Sequence, residues 1–187
     1  MANRTFKAFA IQAGGTPQPL VGTWITAAGT PIGADFQGEQ ITTLTVSDSS
    51  MFLQGDYALL QSATYTNKEL VRVQKVTNST TIVIRGSTLV RTGGVFGTGD
   101  FMSLAIPTNG VFVQSVPGDT GLLYIGTVGM SKTGLVKVIA TLQNFAAGTQ
   151  PVYFSDSRYF TADPMMASDL WIDGTTADTY LPSFPVA

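Results

Sequence analysis

Three aspartates near the end of the chain are the side chains best placed to do chemistry together. Asp169, Asp173 and Asp178 all fall within "DLWIDGTTAD". Clustered carboxylate oxygens are the ligands that Ca²⁺ prefers, so a calcium loop is one interpretation. The spacing lacks the final glutamate of an EF-hand, and Asp-Gly at 173–174 is a strong signal for a hairpin turn. The sequence therefore favours a turn over a metal site, and we predict neither a metal nor a cofactor.

Nucleophilic and metal-assisted catalysis lack their usual residues in this chain. It contains no histidine and no cysteine, which excludes Ser-His-Asp and Cys-His sites and every metal centre built on those ligands. The segment "GGVFGTG" (93–99) is rich in glycine but has no Lys-Ser/Thr pair to bind a phosphate. Asp156 and Arg158 are predicted to form only a surface ion pair. We therefore predict no catalytic residues and a protein that is not an enzyme.

Two arginines share one predicted hairpin. The segment "NKELVRVQKVTNSTTIVIRG" (67–86) predicts two strands and a polar turn. If the turn is centred on 78–79, Arg72 lies opposite Arg85 on the outer face. Like charges in this relation are unfavourable unless an anion lies between them. One interpretation is a docking point for a carboxylate of a partner. The alternatives are a longer loop with another register, or an internal partner such as Asp56.

The overall composition indicates a protein with a weakly charged surface. Charged residues make up 12% of the chain, about half of the roughly 25% that is typical of soluble domains. Such a surface does little to repel neighbouring molecules, which suits a protein that works in an assembly. The formal net charge of −2 argues against a nucleic-acid partner. No apolar run is long enough for a transmembrane helix, so no membrane partner is predicted.

Strand patterns dominate the chain, whereas helical periodicity is scarce. Short β-branched and aromatic runs predict nine strands, within 40–48, 56–63, 69–76, 80–86, 110–116, 121–128, 135–142, 151–157 and 169–174. A short helix is predicted within 162–169. Alternation along the strands predicts a core that contains Val71, Val73, Ile82, Ile84, Leu123, Ile125, Val138 and Trp171. The fold class predicted from these patterns is all-β.

A glycine-rich segment divides the predicted strands into two groups. Four glycines fall within "RTGGVFGTGD" (91–100), and segments of this kind form flexible connections. We therefore predict two small β modules, at residues 20–95 and 96–187.

The N-terminal segment, residues 1–19, is predicted to be an extended arm. Glycine and proline in "GGTPQP" disfavour regular structure at its end. Phe6, Phe9 and Ile11 are then candidate partner-binding residues, and attachment through them would be largely insensitive to salt. The alternative is that these apolar side chains fold back on their own domain.

Several segments resemble one family of proteins. "QPLVGTWIT" (18–26), "TTLTVSDSSMFLQGDYALL" (42–60) and "ELVRVQKVTNSTTIVIRG" (69–86) resemble the N-terminal β module of tailed-bacteriophage virion proteins. In the second half, "GDTGLLYIGTVGMSKTG", "FAAGTQPVYF" and "DLWIDGTTADTYL" resemble the small sandwich modules of phage structural proteins. The resemblance covers most of the chain and is carried by structural motifs.

The resemblance implies a fold, a function and a set of partners. The N-terminal module is expected to be barrel-like or tulip-like, and the C-terminal module a β-sandwich. Among virion proteins the chain is most similar to a capsid decoration, or cement, protein. Such a protein binds the major capsid protein on the outside of the shell and is often a homotrimer. It is found on the virion, and in the host cytoplasm during assembly. No capsid-contact motif carries over to individual residues.

Two other functions fit the sequence. The first, within the same class, is a head fibre, neck or tail-associated virion protein. The second is a carbohydrate-binding β-sandwich with an aromatic platform, for which the candidates are Trp24, Tyr153, Tyr159, Trp171 and Tyr180. Core packing is the competing interpretation for these aromatic side chains, because their segments alternate as strands do.

Overall fold

The fold is almost entirely β. The computed structural model describes residues 3–28, 32–34, 40–86, 96–108, 111–116, 121–142, 152–154 and 166–185. Within these ranges the chain forms sixteen strands and two single turns of 3-10 helix, at Thr133–Leu135 and Ala167–Asp169. The second turn lies in the segment predicted to be a short helix, of which residues 162–165 lie outside the described ranges. The all-β prediction is confirmed.

The chain divides into two compact units, and the sequence of one interrupts the sequence of the other. Residues 22–106 form the inserted unit, and residues 1–21 together with 107–187 form the other. The predicted boundary between 95 and 96 is therefore misplaced. The reason is that Phe101–Leu104, which follows the glycine-rich segment, pairs with strands of the inserted unit on both of its edges.

The inserted unit is a closed antiparallel barrel of six strands with a seventh on its edge. Its strands are β4 (Gly22–Ala28), β5 (Ile32–Ala34), β6 (Gln40–Val46), β7 (Tyr57–Gln61), β8 (Lys68–Asn78), β9 (Thr81–Gly86) and β10 (Phe101–Leu104). They are hydrogen-bonded in the order β4-β10-β7-β8-β9-β6-β5. Pairing of β4 with β6 closes the ring, which leaves none of its six strands with an open edge.

Alternating side chains explain which face of each barrel strand is buried. In β8 and β9 the residues Val71, Val73, Ile82 and Ile84 are each at most 1% exposed, and the residues between them face outward. Because successive side chains of a strand point to opposite faces, this pattern fixes the inner wall. The predicted core positions of this hairpin are confirmed.

Two bulges set the register of the β8–β9 hairpin. Arg72 pairs with Arg85, and Asn78 pairs with Thr81 beside the turn. The turn is therefore centred one residue later than predicted, on 79–80. The register shifts between Val73 and Lys75 and again before Asn78, and each bulge adds one residue to β8. The two extra residues in β8 compensate for the later position of the turn. Arg72 therefore still lies opposite Arg85, as predicted, although the predicted turn is wrong.

The discontinuous unit contains two antiparallel sheets. Its strands are β1 (Asn3–Thr5), β2 (Phe9–Ala10), β3 (Gln18–Pro19), β11 (Val111–Ser115), β12 (Leu123–Ser131), β13 (Val136–Leu142), β14 (Val152–Phe154), β15 (Leu170–Asp173) and β16 (Thr179–Pro185). One sheet has the order β1-β16-β11-β14, with β2 also on β16, and the other has the order β13-β12-β15-β3. Leu123, Ile125 and Trp171 are buried as predicted. Val138 is only half-buried because β13 is the outermost strand of its sheet.

The N-terminal segment is part of this unit rather than an extended arm. Strands β1 and β2 pair with β16, and β3 pairs with β15. Phe9 is 6% exposed and Ile11 is 1% exposed, while the ring of Phe6 meets the ring of Phe184 edge-on at 5.5 Å. The predicted arm is therefore wrong, because these apolar side chains fill the core of their own unit.

Candidate protein-docking surface

The outer face of four barrel strands forms a surface of mixed apolar and basic character. We call this surface the barrel wall. It consists of the outward-facing side chains of β6, β7, β8 and β9 that alternate with the buried ones, namely Ile41, Thr43, Thr45, Tyr57, Leu59, Lys68, Leu70, Arg72, Lys75, Thr81, Val83 and Arg85. Pairing of the four strands brings these side chains onto one continuous face.

Two large apolar side chains are prominent on the barrel wall. Leu70 is 55% exposed and Tyr57 is 52% exposed. Leu59 lies directly opposite Leu70 in the pairing of β7 with β8, so the apolar side chains are contiguous. In the loop before β7, Leu53 is 61% exposed. Contiguous apolar side chains on an outer surface are typical of a site that contacts another molecule.

All charged side chains of the barrel wall are positive. Lys68, Arg72 and Lys75 are exposed along β8, and Arg85 is half-buried on β9. Among the twelve side chains of the wall there is no carboxylate. Glu69, the one acid within β8, is buried with the inward-facing residues. The wall is therefore locally basic although the chain as a whole is weakly acidic.

Arg72 is flanked by other members of the wall. It is paired with Tyr57 on β7 and with Arg85 on β9. Within the described residues Arg72 forms no ion pair. The carboxylate of Asp56, proposed from the sequence as an internal partner, accepts a hydrogen bond from the backbone N–H of Leu53 at 2.7 Å. The predicted juxtaposition of the two arginines is thus confirmed, and their environment is a partly apolar outer face.

The other predicted partner-binding residues lie elsewhere. Phe6, Phe9 and Ile11 belong to the discontinuous unit, where Phe9 also packs on Tyr180 with ring centroids 5.7 Å apart.

A sequence pattern that indicates the apolar part of the barrel wall was present but was not used in the prediction. Leu70 occupies the same alternating phase as Arg72 in "ELVRVQKV", which places an apolar side chain on the polar face.

The three clustered aspartates stabilise backbone turns. Oδ1 of Asp173 accepts a hydrogen bond from the N–H of Gly15 at 2.8 Å and lies 3.7 Å from Nζ of Lys132. Asp169 accepts from the N–H of Met166, and Asp178 accepts from an N–H in the 174–178 connection. In the part of the chain that the structure describes, no group of three acidic side chains is placed to hold a metal.

The Asp-Gly signal at 173–174 does not form the predicted hairpin. Strand β15 ends at Asp173 and pairs with β12 and β3. Strand β16 begins five residues after Gly174, at Thr179, and belongs to the other sheet. The segment is therefore a connection between two sheets, in which the positive φ of 71° falls on Ala177. A turn is present, but it spans residues 175–178 rather than 173–174, and the predicted pairing across it is wrong.

Two of the five aromatic residues of the predicted platform are part of the interior. Trp171 is 1% exposed and Tyr180 is fully buried. The half-buried Trp24 packs against Phe101 with ring centroids 4.3 Å apart. The side chain of Tyr153 and the whole of Tyr159, like the predicted Asp156–Arg158 pair, lie outside the described residues. Trp171 and Tyr180 cannot stack on a sugar in this fold.

No protein-family model, curated protein or solved structure matches the chain. Within the described residues, no helix has the length and apolar character that crossing a lipid bilayer requires. The barrel wall is thus the feature of the described structure from which a function can be argued.

Proposed function

We propose that this chain is a non-enzymatic structural protein of a phage virion, which binds the outside of the capsid and joins neighbouring capsid subunits. The barrel wall is the surface that docks on the shell. The major capsid protein is the partner, and a homo-oligomer, with a trimer favoured, is the form that binds. The protein is then located on the capsid exterior, and in the host cytoplasm before assembly.

The observation that carries this proposal is the exposure of Tyr57 and Leu70 beside Arg72. An outer face that is apolar and basic at once suits contact with another protein, because aromatic side chains and arginine contribute most to protein interfaces. The wall lies on strands of a closed barrel, so its side chains are held in fixed relative positions before binding. A preorganised surface loses less conformational entropy when it docks.

The resemblance of the sequence to tailed-phage virion proteins supports the choice of partner. It covers segments in both units and includes "ELVRVQKVTNSTTIVIRG", which forms the hairpin at the centre of the wall. The low content of charged residues supports the same choice, since a weakly charged surface tolerates close packing among many copies. Together these features favour a role within an assembly.

Co-sedimentation with empty shells tests the proposal directly. The purified chain is mixed with undecorated shells of the major capsid protein from the same phage, and the pellet is quantified against protein concentration. We expect saturable binding at a fixed ratio of copies to capsid subunits. Cryo-electron microscopy of the decorated shells then locates the bound copies.

Two results would point to a different function. Absence of saturable binding to the shells, with a folded protein, would exclude a decoration role. Density at the neck, tail or head fibre of native particles, and none on the shell, would assign the chain to the alternative virion position. The folded protein centrifuged without shells controls for nonspecific sedimentation.

A further inference from the structure

We propose that the barrel wall recognises a carboxylate-bearing protein surface, and that Arg72 is the residue that anchors it. This inference rests on the proposed function, because it assumes that the wall is a docking surface. It adds the chemistry of the partner. The partner must present glutamate or aspartate beside apolar side chains, so that one face of it satisfies both components of the wall.

Charge complementarity identifies the anionic component of the partner. The wall carries Lys68, Arg72, Lys75 and Arg85, and no carboxylate lies among its twelve side chains. Arg72 and Arg85 are directly opposed on adjacent strands, which concentrates positive charge on the wall. A carboxylate that reaches the exposed Arg72 can accept two parallel hydrogen bonds from its guanidinium.

The apolar component distinguishes a protein from other anions. Leu70, two residues before Arg72, and Tyr57, paired across from it, are each more than half exposed. A nucleic acid or a phospholipid headgroup offers phosphate to the cations but leaves the leucine in contact with water. A protein surface buries the leucine and the tyrosine while its carboxylate meets Arg72. Both the burial of apolar surface and the charged hydrogen bonds then stabilise the complex.

Titration of the intact, isotope-labelled protein with defined probes tests the chemistry of the partner. The principal probe is a short peptide in which Glu and Leu alternate. Its matched control has Gln in place of every Glu. A thymidine oligonucleotide and phosphatidylglycerol vesicles supply phosphate without a carboxylate or apolar side chains. We expect the Glu-Leu peptide alone to shift the backbone amide resonances of Tyr57, Leu70, Arg72 and Arg85.

Variants assign the anchor. Arg72→Gln should weaken binding of the Glu-Leu peptide and of the shells about tenfold or more, since a hydrogen bond to a charged group is lost. Leu70→Ser should weaken binding of both as well. The matched controls are Lys137→Gln and Leu135→Ser, which change exposed side chains of the other unit and should leave affinity unchanged. Raising the salt concentration from about 0.1 M to about 1 M should weaken binding by the wild type. It should also reduce the difference in affinity between the wild type and Arg72→Gln, because salt screens the charge of the arginine.

The outcomes separate this inference from the proposed function. If the wild type does not bind shells, the proposed function fails, whatever the peptide does. If the wild type binds shells but Arg72→Gln binds as tightly, the function stands and the inference is overturned. Equal shifts of the wall resonances by the oligonucleotide, the vesicles or the Gln peptide also overturn it. Circular dichroism of each variant confirms that the fold is retained.

Discussion

Gln18 donates a hydrogen bond from Nε2 to the hydroxyl of Tyr180 over a distance of 3.2 Å. The two residues are 162 positions apart and lie on different sheets of the discontinuous unit, Gln18 on β3 and Tyr180 on β16. The same Nε2 also donates to the carbonyl of Ala10. The buried side chain of Gln18 on β3 therefore connects its own sheet to β2 and β16 of the other sheet.

Stability should fall in alkaline solution because of Tyr180. Burial raises the pKa of its hydroxyl well above the ordinary value of 10.0, and the hydrogen bond from Gln18 opposes this shift. A raised pKa in the folded state means that the unfolded chain loses its proton first as the pH increases. The contribution of the neutral Tyr180 hydroxyl to the free energy of unfolding is complete below about pH 10 and is lost progressively above it. Chemical denaturation at a series of pH values measures this dependence.

The variant Tyr180→Phe isolates that effect. It should cost about 0.5–1.5 kcal/mol at neutral pH, because one buried hydrogen bond is removed. It should also reduce the loss of stability above about pH 10 relative to the wild type. Tyr57→Phe, at an exposed position, is the matched control. An unchanged alkaline profile in Tyr180→Phe would contradict the assignment.

Ile84 should be a major contributor to the barrel core. It is fully buried on β9, opposite Val73. Ile84→Ala should lower the free energy of unfolding by roughly 2–4 kcal/mol, through lost burial and the cavity that remains. The control is Val83→Ala, which truncates the outward-facing neighbour on the same strand. A cost for Ile84→Ala below about half a kcal/mol would show that the inner face is misassigned.

The N-terminal segment should be required for stability. Ile11 is 1% exposed, and its N–H donates to the carbonyl of Asp178 at 2.8 Å. Ile11→Ala should cost roughly 2–4 kcal/mol in thermal or chemical unfolding. Thr16→Ala, at an exposed position of the same segment, should cost less than about half a kcal/mol. Equal and small costs for both variants would mean that the segment does not belong to the core.

The inserted barrel should fold when it is separated from the rest of the chain. Residues 22–106 contain all six strands of the closed ring and their core. We expect well-dispersed amide resonances from this fragment. A fragment of residues 100–187 should not fold, because it contains one barrel strand without partners and lacks β1, β2 and β3. The opposite result for the two fragments would refute the division into units.

The sequence alone determined most of the longer strands, but it did not reveal β4 or β16, which have seven residues each. In the β8–β9 hairpin, alternation identified Val71, Val73, Ile82 and Ile84 as core and placed Arg72 opposite Arg85. Both assignments are confirmed. A strand of six or more residues repeats its inward and outward positions often enough to reveal its buried face. The all-β class followed from the same local pattern.

Only the tertiary structure decided where the short strands belong. Phe9–Ala10 and Gln18–Pro19 have two residues each, too few for a period to be read, and their partners lie about 150 to 170 positions away in the sequence. Their apolar side chains are equally compatible with an exposed arm and with a buried strand. The segment is a buried part of its unit because Phe9 and Ile11 pack in a core that distant C-terminal strands complete. Local sequence patterns cannot reveal such distant partners.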